Sequence, residues 1–356
     1  MNNRFLNAGY MVEVINGRLN GSSEQVENKR TGFDNVTYVK KIGRNATVSA
    51  PCQKFAIKNY INNNGYELSK RMKNGKKITI SAMPHKYIDE DVFGFMRADK
   101  EEITKEQYDQ LSEVEQNTFS KSKNKYTRNI TKKRKSRFLM SHLTNVSNRA
   151  INLEWNVAST EGDSLPYNVE TSSGIFAGIA NIDINKIAEF NISDIESEFR
   201  DYAKEEVENE DDIRLNIEEK VKRIEMVLKG FEYLSIQGNQ NNYLTDTAPK
   251  FIILGEYSWG NNVFQGIIKR DGIDIEALKE TLEENEEFRL SDIWIGVSRR
   301  ITDSNYENVK QDLEKAFEDD DCIHVSTVKR AFDSYFKHMY KSFGLDYDNK
   351  KNKEEK

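Results

Sequence analysis

Apolar and polar side chains alternate with a period of two near the start of the chain, which predicts a half-buried β-strand over residues 4–15. Residues 16–35 are polar and contain glycine, so we interpret them as a long loop. A second strand is predicted at 36–42. The apolar positions of the first strand are Leu6, Ala8, Tyr10, Val12 and Val14.

Three other segments have the spacing of amphipathic helices. Ser49 is suited to cap a helix that has Pro51 near its start and Gly65 at its end. Apolar residues three and four apart predict a second helix from Ile217 to Phe231, and the sequence AFDSYFKHMYKSF predicts a third near the end of the chain. The inward face predicted for the first helix consists of Cys52, Phe55, Ala56, Asn59 and Tyr60.

Residues 152–184 have the pattern of a protruding β-hairpin, because two strand-like arms flank the turn-rich tip TEGDSLPYN. Residues 97–137 and 191–220 are rich in charge and are expected to be insertions, the second of them acidic and helical. Residues 348–356 are expected to form a flexible tail. Since strands and helices interleave along the 356 residues, the chain is predicted to have an α+β or mixed α/β fold.

Charge is distributed unevenly between the two parts of the chain. The formal net charge is -6, yet residues 1–150 contain 28 basic and 15 acidic side chains, and residues 151–356 contain 25 basic and 44 acidic ones. This asymmetry favours a surface that faces a polyanion, although two independently solvated halves would have the same composition. The most basic segment, residues 121–137, carries nine Lys or Arg and no acid.

Composition argues against several classes of protein. The two cysteines form neither a disulfide framework nor a metal-ligand spacing, and the longest apolar runs are too short to cross a bilayer. We therefore expect a reduced, soluble, cytoplasmic protein without a membrane partner.

The sequence lacks the motifs of common enzyme classes, including phosphate-binding glycine loops and the nucleophile elbow. Two acidic clusters, Asp89–Asp91 and the pair Glu161 and Asp163, have the residue types for a divalent ion, but a helix cap and a turn explain them better. The histidines are isolated, and His142, which follows a basic segment, has no visible partner for acid–base chemistry. We predict no catalytic residue, no metal and no cofactor.

Five segments in the same order resemble family seven of the Cas proteins, the backbone subunit of the CRISPR Cascade complex, and within it the type I-B, DevR-like group of the RAMP superfamily. The segments are TVSAPCQKFAIKNYI, DEDVFGFM, SRFLMSHLTNV, YNVETSSGIFAGIANIDI and LTDTAPKFIIL.

This resemblance implies a single domain over 1–356 with an RNA-recognition-motif-like, ferredoxin-like core, large insertions, and a hand shape whose β-hairpin thumb spans 152–174. It implies a non-catalytic subunit that polymerises head to tail along a CRISPR RNA and presents it to target DNA in antiviral defence. The implied partners are CRISPR RNA, the target strand, further copies, a small subunit capping the guide 5′ end, a large subunit, the repeat-processing endonuclease and a recruited helicase-nuclease.

The resemblance also assigns roles to residues. Ser49, Lys54 and Lys58 match the phosphate-gripping segment. Phe93, Gly94 and Met96 match a short apolar motif beside the guide, and residues 154–172 match the thumb. The full set of expected RNA contacts is Lys40, Lys41, Arg44, Ser49, Lys54, Lys58, Phe93, Met96, Lys132, Lys133, Arg134, Arg137, His142, Trp155, Thr171 and Ser172.

Two alternatives remain open at this point. A type III-like backbone subunit would cleave target RNA with a thumb-loop aspartate, for which Asp163 is the candidate. A generic single-stranded RNA-binding protein would use the same basic residues outside CRISPR. The basic segment 121–137 is expected to flank the guide groove and to steer either the guide or the target strand.

Overall fold

A computed structural model describes residues 3–28, 32–74, 77–122, 125–147, 149–158, 162, 165–190, 213–238, 240–241 and 243–348. The chain divides into two compact units. The larger unit contains residues 1–65, 138–185 and 220–356, and the smaller unit contains residues 66–137 and 186–219. Within the described part of the chain, no helix is both long and apolar enough to span a membrane.

The strands are numbered in chain order. They are β1 Phe5–Gly17, β2 Gly21–Asn28, β3 Gly32–Val39, β4 Lys41–Ile42, β5 Asn45–Val48, β6 Met72–Asn74, β7 Lys77–Thr79, β8 Phe95–Ile103, β9 Ser120–Ser122, β10 Lys125–Arg134, β11 Phe138–Met140, β12 Leu143–Asn145, β13 Asn152–Ala158, β14 Leu165–Asp183, β15 Phe251–Tyr257, β16 Ile268–Lys269, β17 Gly272–Ile273, β18 Arg289–Val297 and β19 Ile323–Ser326.

The helices are numbered in the same way. They are α1 Ala50–Asn63, α2 Ile88–Phe93, α3 Lys105–Asp109, α4 Glu113–Gln116, α5 Ile217–Glu232, α6 Ile275–Glu284, α7 Val309–Ala316 and α8 Val328–Ser342, with short 3-10 turns at Glu286–Phe288 and Ser304–Tyr306.

A large sheet with the order β19-β18-β15-β1-β14-β12-β5-β4 organises the larger unit. Strand β1 lies near its middle and pairs antiparallel with β14 on one side and β15 on the other. Helix α1 follows β1 in the chain, and α5 lies between β14 and β15. The expected α+β class is therefore confirmed, and the structure shows a large sheet with several helices.

Both faces of the central strand β1 are buried. On one face Tyr10 packs edge-on against Phe231 of α5, with ring centroids 4.7 Å apart. On the other face Met11 joins a cluster of buried side chains that includes Phe264. A Cβ added to Gly9 would lie only 3.0 Å from Phe264, so the absent side chain lets this layer approach the sheet. The middle of the sheet therefore presents no open surface.

The periodicity predictions held for the first strand and for the three helices, which correspond to β1, α1, α5 and α8. The prediction of a loop at 16–35 was wrong, because β2 and β3 pair antiparallel there and β3 also pairs in parallel with β14. The polar side chains of residues 16–35 give no strand-like periodicity. The pairing there depends on an edge that β14 provides from elsewhere in the chain.

The smaller unit is built around the three-stranded sheet β8-β10-β9, with helix α2 just before β8 in the chain. The charged segment 97–137 thus contains two long paired strands and two short helices, α3 and α4. Residues 191–212, most of the predicted acidic insertion, and residues 349–356 of the predicted tail lie outside the described residues.

Candidate nucleic-acid interface

The N-terminus of α1 is anchored through a backbone amide and not through a capping side chain. Ser49 occupies the capping position, but its side chain makes no capping hydrogen bond. Its backbone amide donates instead to Oδ1 of Asn20, at 3.1 Å. Because the amide of Lys40 donates to the carbonyl of Asn20 at 2.8 Å, this one residue links the start of α1 to the basic turn before β5.

Gln53 of α1 is completely buried and ties three segments together. Its Nε2 donates to the carbonyls of Val48 at 3.2 Å and Ser141 at 3.0 Å, while its Oε1 accepts from the hydroxyl of Tyr10. Burial raises the pKa of Tyr10 far above its usual value, so the phenol stays protonated and continues to donate. Gln53 thereby places His142, the residue after Ser141, beside the start of α1.

Lys54 and Lys58 lie one turn apart on α1, and both are partly buried. Burial, together with the nearby charge of Lys58, lowers the pKa of Lys54 to about 8. The ammonium group of Lys54 is thus held in a site where positive charge is costly, and an anion such as a phosphate would relieve that cost.

The basic turn at 40–44 is attached to the base of the hairpin. Nζ of Lys41 lies 2.7 Å from Oε1 of Glu170 on β14, and the amide of Val39 donates to the other carboxylate oxygen at 3.1 Å. The charge of Lys41 is therefore already engaged, whereas Lys40 and Arg44 are exposed. Of this turn, the latter two are the better placed for an external phosphate.

Strands β13 and β14 pair antiparallel from Asn152–Thr171 to Ala158–Leu165. Alternation along β13 leaves three apolar side chains exposed on one face: Leu153 (62%), Trp155 (60%) and Val157 (53%). Thr171 and Ser172 are buried, and Thr171 Oγ1 donates to Glu154 at 3.2 Å. Trp155 is thus available to an external partner, whereas Thr171 supports the hairpin from inside and the predicted contact there is corrected.

Two predicted RNA contacts in the smaller unit, Phe93 and Met96, differ in their exposure to solvent. Phe93 is buried at the end of α2, while Met96 is 69% exposed on β8. Gly94 between them has φ +70°, and an added Cβ would lie 2.4 Å from the carbonyl oxygen of Arg134, so only glycine fits this turn.

Arg134 is a structural residue. Its side chain and that of Asp91 are both fully buried, and the two form an ion pair. The guanidinium also donates to the carbonyls of Asp91, Lys186 and Glu189, each at 2.9 Å, and lies 4.9 Å from the Phe190 ring. The predicted RNA contact is corrected for this residue, because its side chain has no exposed surface.

The acidic cluster at 89–91 serves the same unit. Asp89 accepts from the amide and hydroxyl of Ser69, at 2.9 and 2.8 Å, and Glu90 accepts from the amide of Ala82 at 3.0 Å. With Asp91 directed to Arg134, the three carboxylates bind different segments and do not converge on one point. Their observed role is structural.

Strand pairing divides the basic segment 121–137 into two parts. At one end of β10, Arg128 pairs with Glu101 and Lys125 lies 2.6 Å from Glu102 on β8. At the other end Lys132 lies opposite Arg97, so cation faces cation. Lys132 is nearly buried, and Lys133 and Arg137 are half-buried. The basic side chains at the N-terminal end of β10 are therefore paired with acids of β8.

The sequence did not predict the roles of Asn20 and Gln53 in positioning this interface. Each is polar, and its partner lies far away in the chain, so local periodicity gives no signal for it. Asp163, the candidate aspartate of the cleaving alternative, and Glu161 lie outside the described residues.

Comparison with known proteins places the chain in a family. Residues 35–255, more than half of the chain, match the family described as CRISPR-associated negative auto-regulator DevR/Csa2. A search of curated proteins found no match. Two solved chains align with this one: a "CRISPR RNA-guided surveillance complex" chain (13% identity, TM-score 0.44, 88% of this chain and 99% of the other) and a "CRISPR RNA-guided surveillance complex, pre-nicking" chain (11%, 0.46, 94% and 100%). On the evidence of the family match, the chain belongs to the CRISPR-associated DevR/Csa2 family.

Proposed function

We propose that this protein is the guide-holding backbone subunit of a type I-B CRISPR RNA-guided surveillance complex. Its copies would polymerise head to tail along one CRISPR RNA and present it to the target DNA strand. A heterologous contact that repeats without closing generates a helical filament, which suits a linear RNA. Membership in the DevR/Csa2 family supports the CRISPR part of this proposal.

The chain order of the core elements supports an RNA-recognition-motif-like fold. In sequence they run β1, α1, β12, β14, α5, β15, and in the sheet the strands lie in the order β15-β1-β14-β12. A ferredoxin-like core has this βαββαβ sequence, with its first and third strands in the centre.

The buried faces of β1 distinguish this chain from a single RNA-recognition motif that stacks bases on its open sheet. Because packed side chains cover both faces, RNA must bind at sheet edges, loops and helix ends. The basic side chains there, Lys40, Arg44, Lys54 and Lys58, suit phosphates and carry no base-edge code. Such binding independent of sequence is what a carrier of many different guides needs.

One observation carries the proposal furthest: strand β14 belongs both to the core and to the hairpin. Its residues 174–183 pair with β1, and its residues 165–171 pair with β13. The exposed Trp155 face therefore lies on a hairpin whose strand β14 continues from the central sheet, and Glu170 on the same strand holds Lys41. This continuity fits a thumb set at a fixed position beside a backbone-binding site.

The proposal is tested by the RNA that co-purifies with the chain. We expect a discrete RNA of uniform length with a repeat-derived end, because a backbone subunit binds one processed guide. RNA of heterogeneous length and sequence would favour the generic RNA-binding alternative and contradict the proposal.

We also propose that the subunit is not catalytic. When the assembled complex is incubated with Mg²⁺ and RNA complementary to the guide, we expect the RNA to remain intact on a sequencing gel. Regularly spaced cuts that disappear in Asp163→Ala would instead establish the type III-like activity.

A further inference from the structure

The loop at residues 234–248, between α5 and β15, is closed by its own side chains. Thr247 accepts a hydrogen bond from the amide of Ile236 at 2.9 Å, and Gln240 donates to the carbonyl of Ile236 at 2.7 Å. Gln240 also accepts from the amide of Thr245 at 2.9 Å. Ile236 and Thr247 are buried, so the described residues of the loop, 234–238, 240–241 and 243–248, have internal anchors.

One side of this loop contacts the segment that holds α1. An added Cβ on Gly238 would lie 2.1 Å from the carbonyl oxygen of Leu19, so the two backbones touch and only glycine fits. The next residue, Asn20, receives the amide of Ser49 at the start of α1. The loop therefore reaches the Lys54 helix through the backbone of Leu19 and the side chain of Asn20.

Another part of the loop contacts the hairpin. The hydroxyl of Tyr243 donates to Oε2 of Glu154 on β13 at 2.6 Å, and Thr171 donates to the other carboxylate oxygen. The bond from Tyr243 lowers the pKa of Glu154, which keeps the carboxylate ionised at neutral pH. This is a charge-assisted hydrogen bond of the stronger class.

Such a support acts on the outer strand β13. Strand β13 pairs only with β14 among the described residues, and its apolar face at Leu153, Trp155 and Val157 is exposed. Strand β14 is itself paired on its other edge with β3 over Tyr167–Val169, so β13 is the outer strand here and has one strand neighbour. Glu154 points to the opposite side from Trp155, so a contact there leaves the exposed face available.

We propose that the loop 234–248 is a brace that fixes the β13–β14 hairpin relative to the N-terminus of α1, with Tyr243 and Glu154 as its positioning residues. Under the proposed function, on which this consequence rests, the brace sets the spacing between the phosphate-gripping lysines and the thumb. Tyr243 then acts on target pairing through Glu154 without touching RNA.

The brace is tested by measuring how sharply one distance is defined. Spin labels are placed on α1 and β13 with Asn62→Cys and Val157→Cys, both exposed positions, in a Cys52→Ser, Cys322→Ser background. Pulsed electron–electron double resonance then gives the distribution of distances between the two spin labels in the purified chain.

In the Tyr243→Phe variant we expect that distribution to broaden, because loss of a hydrogen bond to a charged acceptor shifts the balance between held and released hairpin by roughly tenfold. Glu154→Gln should broaden it less, since the amide oxygen can still accept. Tyr233→Phe, at another part-exposed tyrosine, should leave it unchanged. An unchanged width in Tyr243→Phe, or the same broadening in Tyr233→Phe, would overturn the proposal.

A second readout separates the brace from the function. If the chain holds guide RNA, Tyr243→Phe should keep guide affinity within about twofold, because the lysines are untouched, and should speed target-strand dissociation several-fold. Equal losses of guide and target binding would overturn the positioning role. If the chain holds no discrete RNA but the distribution still broadens, the brace stands and the proposed function fails.

Discussion

The Lys54→Ala, Lys58→Ala double variant should bind single-stranded RNA about 100-fold more weakly than the parent chain near physiological salt. Each lysine can supply one charge-assisted contact to phosphate, and each such contact contributes roughly tenfold in affinity. The loss should be the same for every RNA sequence, because phosphates carry no sequence information. Fluorescence anisotropy with two RNAs of unrelated sequence measures both quantities.

Salt dependence gives the sharper test of this mechanism. Removing two phosphate contacts from a single strand should reduce the slope of log affinity against log salt concentration by about 1.4. The matched control is Lys337→Ala, Lys341→Ala, two exposed lysines at the same spacing on α8, which should change neither affinity nor slope. A loss that depended on RNA sequence, or an equal loss in the α8 variant, would contradict the assignment of this site.

The lowered pKa of Lys54, about 8, adds a pH signature to the same site. A bound phosphate raises that pKa, so binding takes up a proton near pH 8 and affinity should fall as pH rises through 8. Folding stability changes in the opposite direction, because between pH 8 and 10 the unfolded chain binds more protons at this lysine than the folded chain does. The contribution of Lys54 to stability therefore cannot explain a fall in affinity, and Lys54→Arg should remove that fall.

Local pattern predicted the helices and missed much of the sheet for one physical reason. An amphipathic helix records its buried face within about ten residues, as α5 does. Strand β2 has one large apolar residue, Val26, and the strand predicted at 36–42 covers only the second half of β3. Strand β3 pairs with an edge that β14 offers beyond the core, and β2 pairs with β3. No feature of residues 16–35 by itself carries that information.

The candidate site was predictable in its charges but not in their partners. Spacing suggested that Phe55 faces inward, yet it is 59% exposed and the polar Gln53 is buried instead. Gln53 is stable inside because Tyr10 and Ser141, from two other segments, complete its hydrogen bonds. Likewise, the sequence places Arg128 in a basic segment, whereas the structure shows that its charge is paired with that of Glu101 on the neighbouring strand.

The second large expected effect concerns Arg134, another basic residue whose charge is paired inside the protein. Arg134→Met should lower the free energy of unfolding of the smaller unit by about 3–5 kcal/mol, because it leaves the carboxylate of Asp91 buried without its cation. The variant also removes the guanidinium hydrogen bonds to three backbone carbonyls. Hydrogen exchange of the β8 and β10 amides measures this loss within the unit itself.

Two variants control for the chemistry of that substitution. Arg128→Met, on the same strand, breaks a partly exposed ion pair with Glu101 and should cost less than about 1 kcal/mol. Adding Asp91→Leu to Arg134→Met removes the unpaired charge and should recover part of the lost stability. If Arg134→Met abolished RNA binding while amide exchange in β8 and β10 stayed at the parent level, Arg134 would be an RNA contact after all and its structural assignment would be wrong.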